Sequence, residues 1–409
     1  MRPLALALAL SFLAMLALPQ GAFAIDATTL NGKVLTGYQG WFRCPRDGSK
    51  AGWDGYISPK GPWRADRDQP GKRQWDMDMW PDVSEMESSS LCEMPGQTRG
   101  GKKLQVFTSF APATQQTHFR WMREHGIDGV LLQRFLIKLQ TSYAENDQVL
   151  KNVIAAARDN DRVFAIEYDV TDFKGDALAT LKSDWTRLNT QFKLTKARGY
   201  QHDEGRPVVS FWGIGFKDNR RINDPEEALK IINWFKSQGV RVMGGVPDNW
   251  SKDAVDSPWS KVYAALDIVQ PWTVGTYRSS EDFAKRGEPQ FTQDMAVARR
   301  NKQDYMPVIY PGFSWKNRHP QTQLNRVPRA GGDFLMTQAQ AAKTAGARMV
   351  KIAMFDEINE ATAIFKVATT LDQVPEDGEW VTLDSDGKAL PNDHYLQVSG
   401  RISRLFKEK

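Results

Sequence analysis

Eight short apolar runs, separated by stretches with helical spacing, constrain this chain more than any other feature. The runs cover residues 33–42, 129–135, 163–170, 207–215, 240–247, 267–275, 306–313 and 349–356. Most are nearly continuous in Val, Ile, Leu, Phe and Met, the pattern of parallel strands covered on both faces. Helical patterns precede the second to eighth runs at 117–125, 146–158, 178–192, 225–236, 253–265, 291–301 and 333–345, and 395–406 closes the chain. In 146–158, Val149, Leu150, Val153, Ile154 and Ala157 form one stripe, as a helix packed on a sheet requires. Asp224 before Pro225 reads as an N-cap followed by proline in the first turn. Eight such steps in series predict an α/β fold of the (β/α)8 (TIM) barrel type. A doubly wound open sheet would carry a glycine-rich phosphate turn after its first strand, and the turn here reads TGYQGWF, without GxGxxG.

Residues 43–103 break the alternation. They are rich in Gly, Pro and charge and hold Trp53, Trp63, Trp75 and Trp80, followed by a strand-like run at 103–110. This predicts a long excursion over the C-terminal face of the barrel, where active sites of this architecture lie. Two readings stand side by side: a loop that serves a ligand, and a structural cap with tryptophans buried beneath it. The C-terminal part reads as a short β-turn and helix extension, with a turn at 384–387 between short strands (380–383 and beyond). Met1–Arg2–Pro3, an apolar run from Leu4 to Leu18 and Ala22–Phe23–Ala24 read as an export signal cleaved after Ala24. That leaves 25–409 as one catalytic domain, secreted or periplasmic. In an oxidising compartment Cys44 and Cys92 are candidates for a disulfide, against two buried free thiols. The 54 basic and 49 acidic side chains leave +5 over 409 residues, too dilute to point to nucleic acid. No later stretch is apolar enough to span a bilayer. CxxC, HxxxH and HExxH are absent, so neither zinc nor another cofactor is expected, and the chain is expected to be monomeric. Asp76, Asp78 and Asp82 are acidic neighbours without a complete calcium-loop pattern, set against Arg64, Arg67 and Arg73.

If the barrel holds, function lies where strands end. Those positions offer Tyr38 and Trp41, Gln133 and Arg134, Glu167 and Asp169, Trp212, Asp248, Trp272, Tyr310 and Trp315. Carboxylates and amides suit hydroxyl groups, and indole faces suit the apolar faces of sugar rings, so these residues are the candidate contacts to an oligo- or polysaccharide. The sharpest feature is Phe355–Asp356–Glu357–Ile358–Asn359–Glu360–Ala361–Thr362. Glycoside hydrolysis needs two carboxyl groups about one bond, one protonated and one ionised. Glu357 and Glu360, three residues apart after an apolar strand, are the candidate catalytic pair. The alternative reading is the acidic start of a surface helix.

The strand GYQGW, the run from Trp75 to Asp82 (WDMDMWPD), Gln133–Arg134, Pro311–Trp315 (PGFSW) and Asp356–Thr362 (DEINEAT) together resemble the glycoside hydrolase family 71/99-like group. That group contains endo-α-mannosidases, endo-α-mannanases and α-1,3-glucanases. The catalytic segment of the group is similar at Glu357, Glu360 and Thr362 and differs at Asp356, Ile358, Asn359 and Ala361. The resemblance implies a retaining α-glycosidase. Glu357 would assist the 2-hydroxyl of the sugar in attacking the anomeric carbon, and Glu360 would protonate the leaving oxygen. Tyr38 matches a tyrosine near the site. Two rivals remain open: a carbohydrate-binding protein on a barrel that has lost turnover, and a hydrolase of other specificity, such as a xylosidase or arabinosidase.

Overall fold

A computed structural model describes residues 25–58 and 74–408. The expected signal at 1–24, and Trp63, Arg64, Arg67 and Arg73, lie outside the described residues. In chain order the elements are β1 (Val34–Tyr38), β2 (Leu91–Gln97), β3 (Lys103–Phe107), α1 (Pro112–Glu124), β4 (Gly129–Phe135), α2 (Leu136–Thr141) and α3 (Tyr143–Asp159). There follow β5 (Val163–Asp169), α4 (Ala177–Gln191), β6 (His202–Asp203), β7 (Arg206–Trp212), α5 (Pro225–Ser237), β8 (Arg241–Pro247), α6 (Trp250–Asp253) and α7 (Ser260–Ala265). The chain ends with β9 (Ile268–Trp272), α8 (Ser280–Arg300), β10 (Asp304–Tyr305), β11 (Val308–Ile309), α9 (Asp333–Thr344), β12 (Val350–Ile352) and α10 (His394–Lys407).

The main sheet runs β10-β9-β8-β7-β5-β4-β1-β12-β11, and every ladder on that path is parallel. β10 and β11 are halves of one stave, so the nine strands on the path make eight staves in a closed ring. The interruption falls at Pro307, which has no N–H for the ladder. Met306 N still donates to Val269 O (2.9 Å) on one side, and Pro307 O still accepts from Lys351 N (3.0 Å) on the other. The barrel therefore closes across its own proline.

Local chemistry explains the outer helices. Asp224 caps α5 by accepting from Glu226 N at 2.9 Å, with Pro225 in the first turn. Val149, Leu150, Val153 and Ala157 of α3 are buried, and Ile154 is partly so. α8 begins eleven residues before the predicted helix, capped by Ser279 Oγ accepting from Asp282 N (3.1 Å). Its first half is charged and carries Pro289, which hides the periodicity.

The excursion after β1 packs inward. Trp53, Tyr56, Trp75, Met77, Met79 and Trp80 are buried, and Trp75, Trp80 and Trp380 meet edge to face at 5.2–5.7 Å. Its described part is thus the cap with buried tryptophans. Cys44 and Cys92 are joined in a disulfide, tying the start of the excursion to the antiparallel β2–β3 hairpin. The short strands expected at 380–383 do not form. Trp380, Val381 and Leu383 are buried loop, because Val381 N and Leu383 N bond to Asp78 O and Ala368 O, which belong to other loops. A turn stands at 384–387, as expected. Among the described residues no helix is long and apolar enough to cross a membrane.

Candidate active site

The interior of the barrel is polar in one layer. Lys351 of β12 pairs with Glu167 of β5 at 2.5 Å, both fully buried. Ser210 Oγ of β7 donates to Glu167 at 2.8 Å, Gln133 Nε2 of β4 at 3.3 Å, and Lys351 reaches Gln270 Oε1 of β9 at 3.1 Å. Five staves thus contribute to one network, which can only lie inside the ring. Lys351 Nζ also sits 5.5 Å from the centre of the Trp272 ring. Trp272 meets Trp212 edge to face at 5.5 Å, so this layer is roofed by indole.

The segment after β12 does not begin a helix. It folds back as a tight turn in which Glu357 O accepts from Thr362 N (3.1 Å) and Ala363 N (3.0 Å). Ala361 takes a left-handed φ of 53° to close it. The excursion and the loop after β11 hold this turn from both sides. Ile358 O accepts from Asp78 N and Met79 N, Glu360 O accepts from Ser314 N at 2.9 Å, and Asn359 Nδ2 donates to Gly55 O and Asp76 O. Asp78, fully buried, accepts from Ser314 Oγ (2.5 Å), Lys316 N (2.6 Å) and Asn317 N (2.8 Å). That fixes the loop carrying Trp315 and Arg318. Of the acidic neighbours noted in the sequence, Asp78 is engaged wholly by protein donors, and Asp76 pairs with Arg318 at 3.4 Å.

Asp356 accepts from the backbone N–H groups of Gln39 (2.7 Å) and Gly40 (2.9 Å), and Gln39 Nε2 donates a short hydrogen bond to Glu357 Oε2. Glu357 is 3% exposed and its Oε1 has no protein partner. Glu360 is partly open to solvent. Burial pushes both carboxyl groups above the usual range. The charges of Glu360 and Asp356 raise Glu357 further, while Arg318 and the Gln39 amide oppose the rise. Arg318, the Trp315 indole N–H and Arg221 oppose it at Glu360, where Asp76 adds to it. Asp356 and Asp169 are each pushed up to about 6 by burial, partly offset by the hydrogen bonds they accept.

The structure sorts the sequence-predicted residues into two groups. Gln133, Glu167, Asp169, Trp212 and Trp272 lie inside the ring or at its mouth with Glu357, Glu360 and Trp315. Glu167 and Gln133 are committed to the Lys351 network below. Arg221 stacks 4.6 Å over Trp212 and acts on both Asp169 and Glu360. Trp41 stacks on Phe135 at 5.3 Å, its indole N–H buried without a protein partner. Asp248, partly buried, accepts from Thr276 Oγ1 at 3.1 Å on the rim. The second group faces outward. Arg134 is held by Asp184 (2.6 Å) and Asp147 (3.0 Å) on α4 and α3. Tyr38 OH bonds to His118 Nδ1 on α1 at 2.8 Å. Tyr310 OH donates to Tyr277 O at 2.6 Å, and its ring packs on Phe334 of α9. All three are buried behind the barrel wall, because neighbouring strand positions alternate between interior and exterior. Gln39 and Arg318 stand at the ends of the first and seventh runs, where the sequence placed the polar rim, whereas Arg221 and Asp76 were not among the expected contacts. Only their places near strand ends or in the excursion could have signalled them.

No family model matches the sequence, and no curated protein matches it either. Solved structures do. A glycoside hydrolase family 99 endo-alpha-mannosidase from Bacteroides thetaiotaomicron superposes with a TM-score of 0.67 at 13% identity, covering 93% of this chain and 98% of that one. The fold is that of a family 99 barrel. A glycoside hydrolase-like protein matches with a TM-score of 0.52 at 14% identity, over 80% of this chain and 94% of that one.

Proposed function

We propose that this chain is a glycoside hydrolase acting on α-linked glycosidic bonds of an oligo- or polysaccharide of the α-mannan or α-glucan type, with Glu357 and Glu360 as its catalytic pair. One observation carries the reading. Two carboxyl groups, Glu357 buried and Glu360 partly exposed, stand three residues apart in one tight turn after β12, beside Trp315 and Arg318. Acid–base cleavage of a glycoside requires two carboxyl groups about one bond, one protonated and one ionised, and this pair supplies them. Indole surfaces at Trp212, Trp272 and Trp315 suit pyranose faces. The matching fold of the family 99 endo-alpha-mannosidase supports the α-mannan class, and the resemblance in sequence implies retention of configuration.

In this mechanism Glu357 takes the proton of the sugar 2-hydroxyl as its oxygen attacks the anomeric carbon. Glu360 delivers a proton to the departing glycosidic oxygen as that bond breaks. Water then attacks the anomeric carbon and gives its proton to Glu360, while the bond from O2 to that carbon breaks and Glu357 returns its proton to O2. The sequence reading of an export signal, together with the Cys44–Cys92 disulfide, supports a secreted or periplasmic protein, which we take to be monomeric. A screen of α-mannans and α-glucans with product analysis tests the proposal, with Glu360→Gln as the control. Release of oligosaccharide by the wild type and its loss in the variant is the expected result. Binding without hydrolysis on every substrate would instead make the chain a lectin-like barrel. Products only from xylan or arabinan would replace the substrate class.

A further inference from the structure

The link between the first and last staves turns on a glycine. Gly40 adopts φ +60°, and a Cβ there would stand 2.8 Å from Val149 Cγ1. Glycine lets the backbone turn sharply after β1, so that the N–H groups of Gln39 and Gly40 point together at Asp356. That grip leaves the Gln39 side chain lying against Glu357, its Nε2 on Glu357 Oε2. The Oε1 atoms of Gln39 and Glu357 are both buried and have no protein partner. The two adjacent acids therefore act on one dipeptide: Asp356 holds its backbone, and Glu357 receives its amide.

We propose that Gln39 is a positioning residue that holds Glu357 as the ionised, proton-accepting member of the glutamate pair, with Asp356 as the clamp that holds Gln39. An amide N–H donates to a carboxylate and has nothing to donate to on the hydroxyl side of a protonated acid, so the contact favours one protonation state. The tilt is needed because the other groups facing the pair do not supply it. Asp356 and Glu360 disfavour charge on Glu357, Arg318 favours charge on both glutamates, and Arg221 and the Trp315 indole favour it on Glu360, with Asp76 opposing. Gln39 is the group whose hydrogen bond to Glu357 acts against that charge repulsion. With the amide turned over, Gln39 Oε1 would accept from a protonated Glu357, and the tilt would reverse. The inference rests on the proposed pairing of the two glutamates.

The test is carbon-13 NMR of the full chain with labelled glutamate side-chain carboxyls, the Glu357 signal assigned through Glu357→Gln. In Gln39→Met, which keeps length and loses the donor, Glu357 is expected to titrate about one pH unit higher, roughly what one hydrogen bond to a carboxylate contributes. Gln39→Leu, which also lacks the donor, should move the signal the same way, and serves if Gln39→Met does not fold. On a cleaved glycan the acid limb of kcat/KM should move up with the NMR titration, kcat falling and KM holding. An unmoved or lowered Glu357 titration in a folded Gln39 variant would overturn the inference. Absence of hydrolysis by the wild type would defeat the proposed function and leave the NMR result to judge Gln39.

Discussion

Replacing Asp78 by alanine should release the loop that carries Trp315 and Arg318 before it unfolds the barrel. Asp78 accepts three hydrogen bonds from that loop, at 2.5, 2.6 and 2.8 Å. Ser314 is fully buried, so its hydroxyl loses its partner without gaining water, at about 1–3 kcal/mol. Lys316 and Asn317 are only partly buried, and water recovers much of their loss, leaving roughly 0.5–1.5 kcal/mol each. Against this, burial raises the Asp78 carboxyl above its usual range, so deleting it also relieves a desolvation cost. The net falls at about 2–4 kcal/mol, within the roughly 5–15 kcal/mol that holds a folded protein. Hydrogen exchange is the direct assay. Amides at 314–319 should lose protection in Asp78→Ala while β4 and β5 keep theirs, with a lower melting temperature and a raised KM for any cleaved glycan. Unchanged exchange at 314–319 in a folded variant would refute the reasoning.

Glu357→Gln and Glu360→Gln should each lower kcat by roughly 10²–10⁴-fold with the melting temperature held or raised, since both acids are strained by burial; steady-state kinetics and calorimetry check this. Lys351→Met alone should cost about 3–5 kcal/mol by leaving Glu167 charged and unpaired inside the barrel, and Lys351→Met with Glu167→Leu should recover most of it in urea titrations. The buried Asp294 carboxyl is pushed up to about 6 by burial. The folded chain therefore binds its proton more readily than the unfolded chain, and Asp294 lowers stability as pH rises from roughly 4 through 6. Asp294→Asn should flatten that fall and gain up to about 2–3 kcal/mol at pH 7.5 relative to pH 4, read by urea unfolding at both.

The barrel was legible because parallel strands covered on both faces must be apolar throughout, and β4 matches its run at both ends. The split stave at Pro307 and the early start of α8 were not, since each depends on tertiary contacts that rescue an unfavourable residue. The two glutamates were legible as acids at a strand end. Its setting was misread in one alternative, because a helix start and a tight turn share the same i, i+3 spacing. Tyr310 was placed at the rim by position, and Arg134 and Tyr38 by position and by the family resemblance. Strand ends list inward and outward residues alike, and only the phase fixed by the Lys351–Glu167 network separates them. Gln39 escaped notice as a partner because its contact with Glu357 spans 318 positions of sequence.

Diffraction from crystals of the Glu360→Gln variant soaked with an α-linked manno- or gluco-oligosaccharide addresses the central claim most directly. The account predicts a sugar across the barrel mouth, its 2-hydroxyl at Glu357 and its glycosidic oxygen at residue 360, with pyranose faces against Trp212, Trp272 or Trp315. A sugar bound elsewhere on the chain, with the two glutamates untouched, would contradict it.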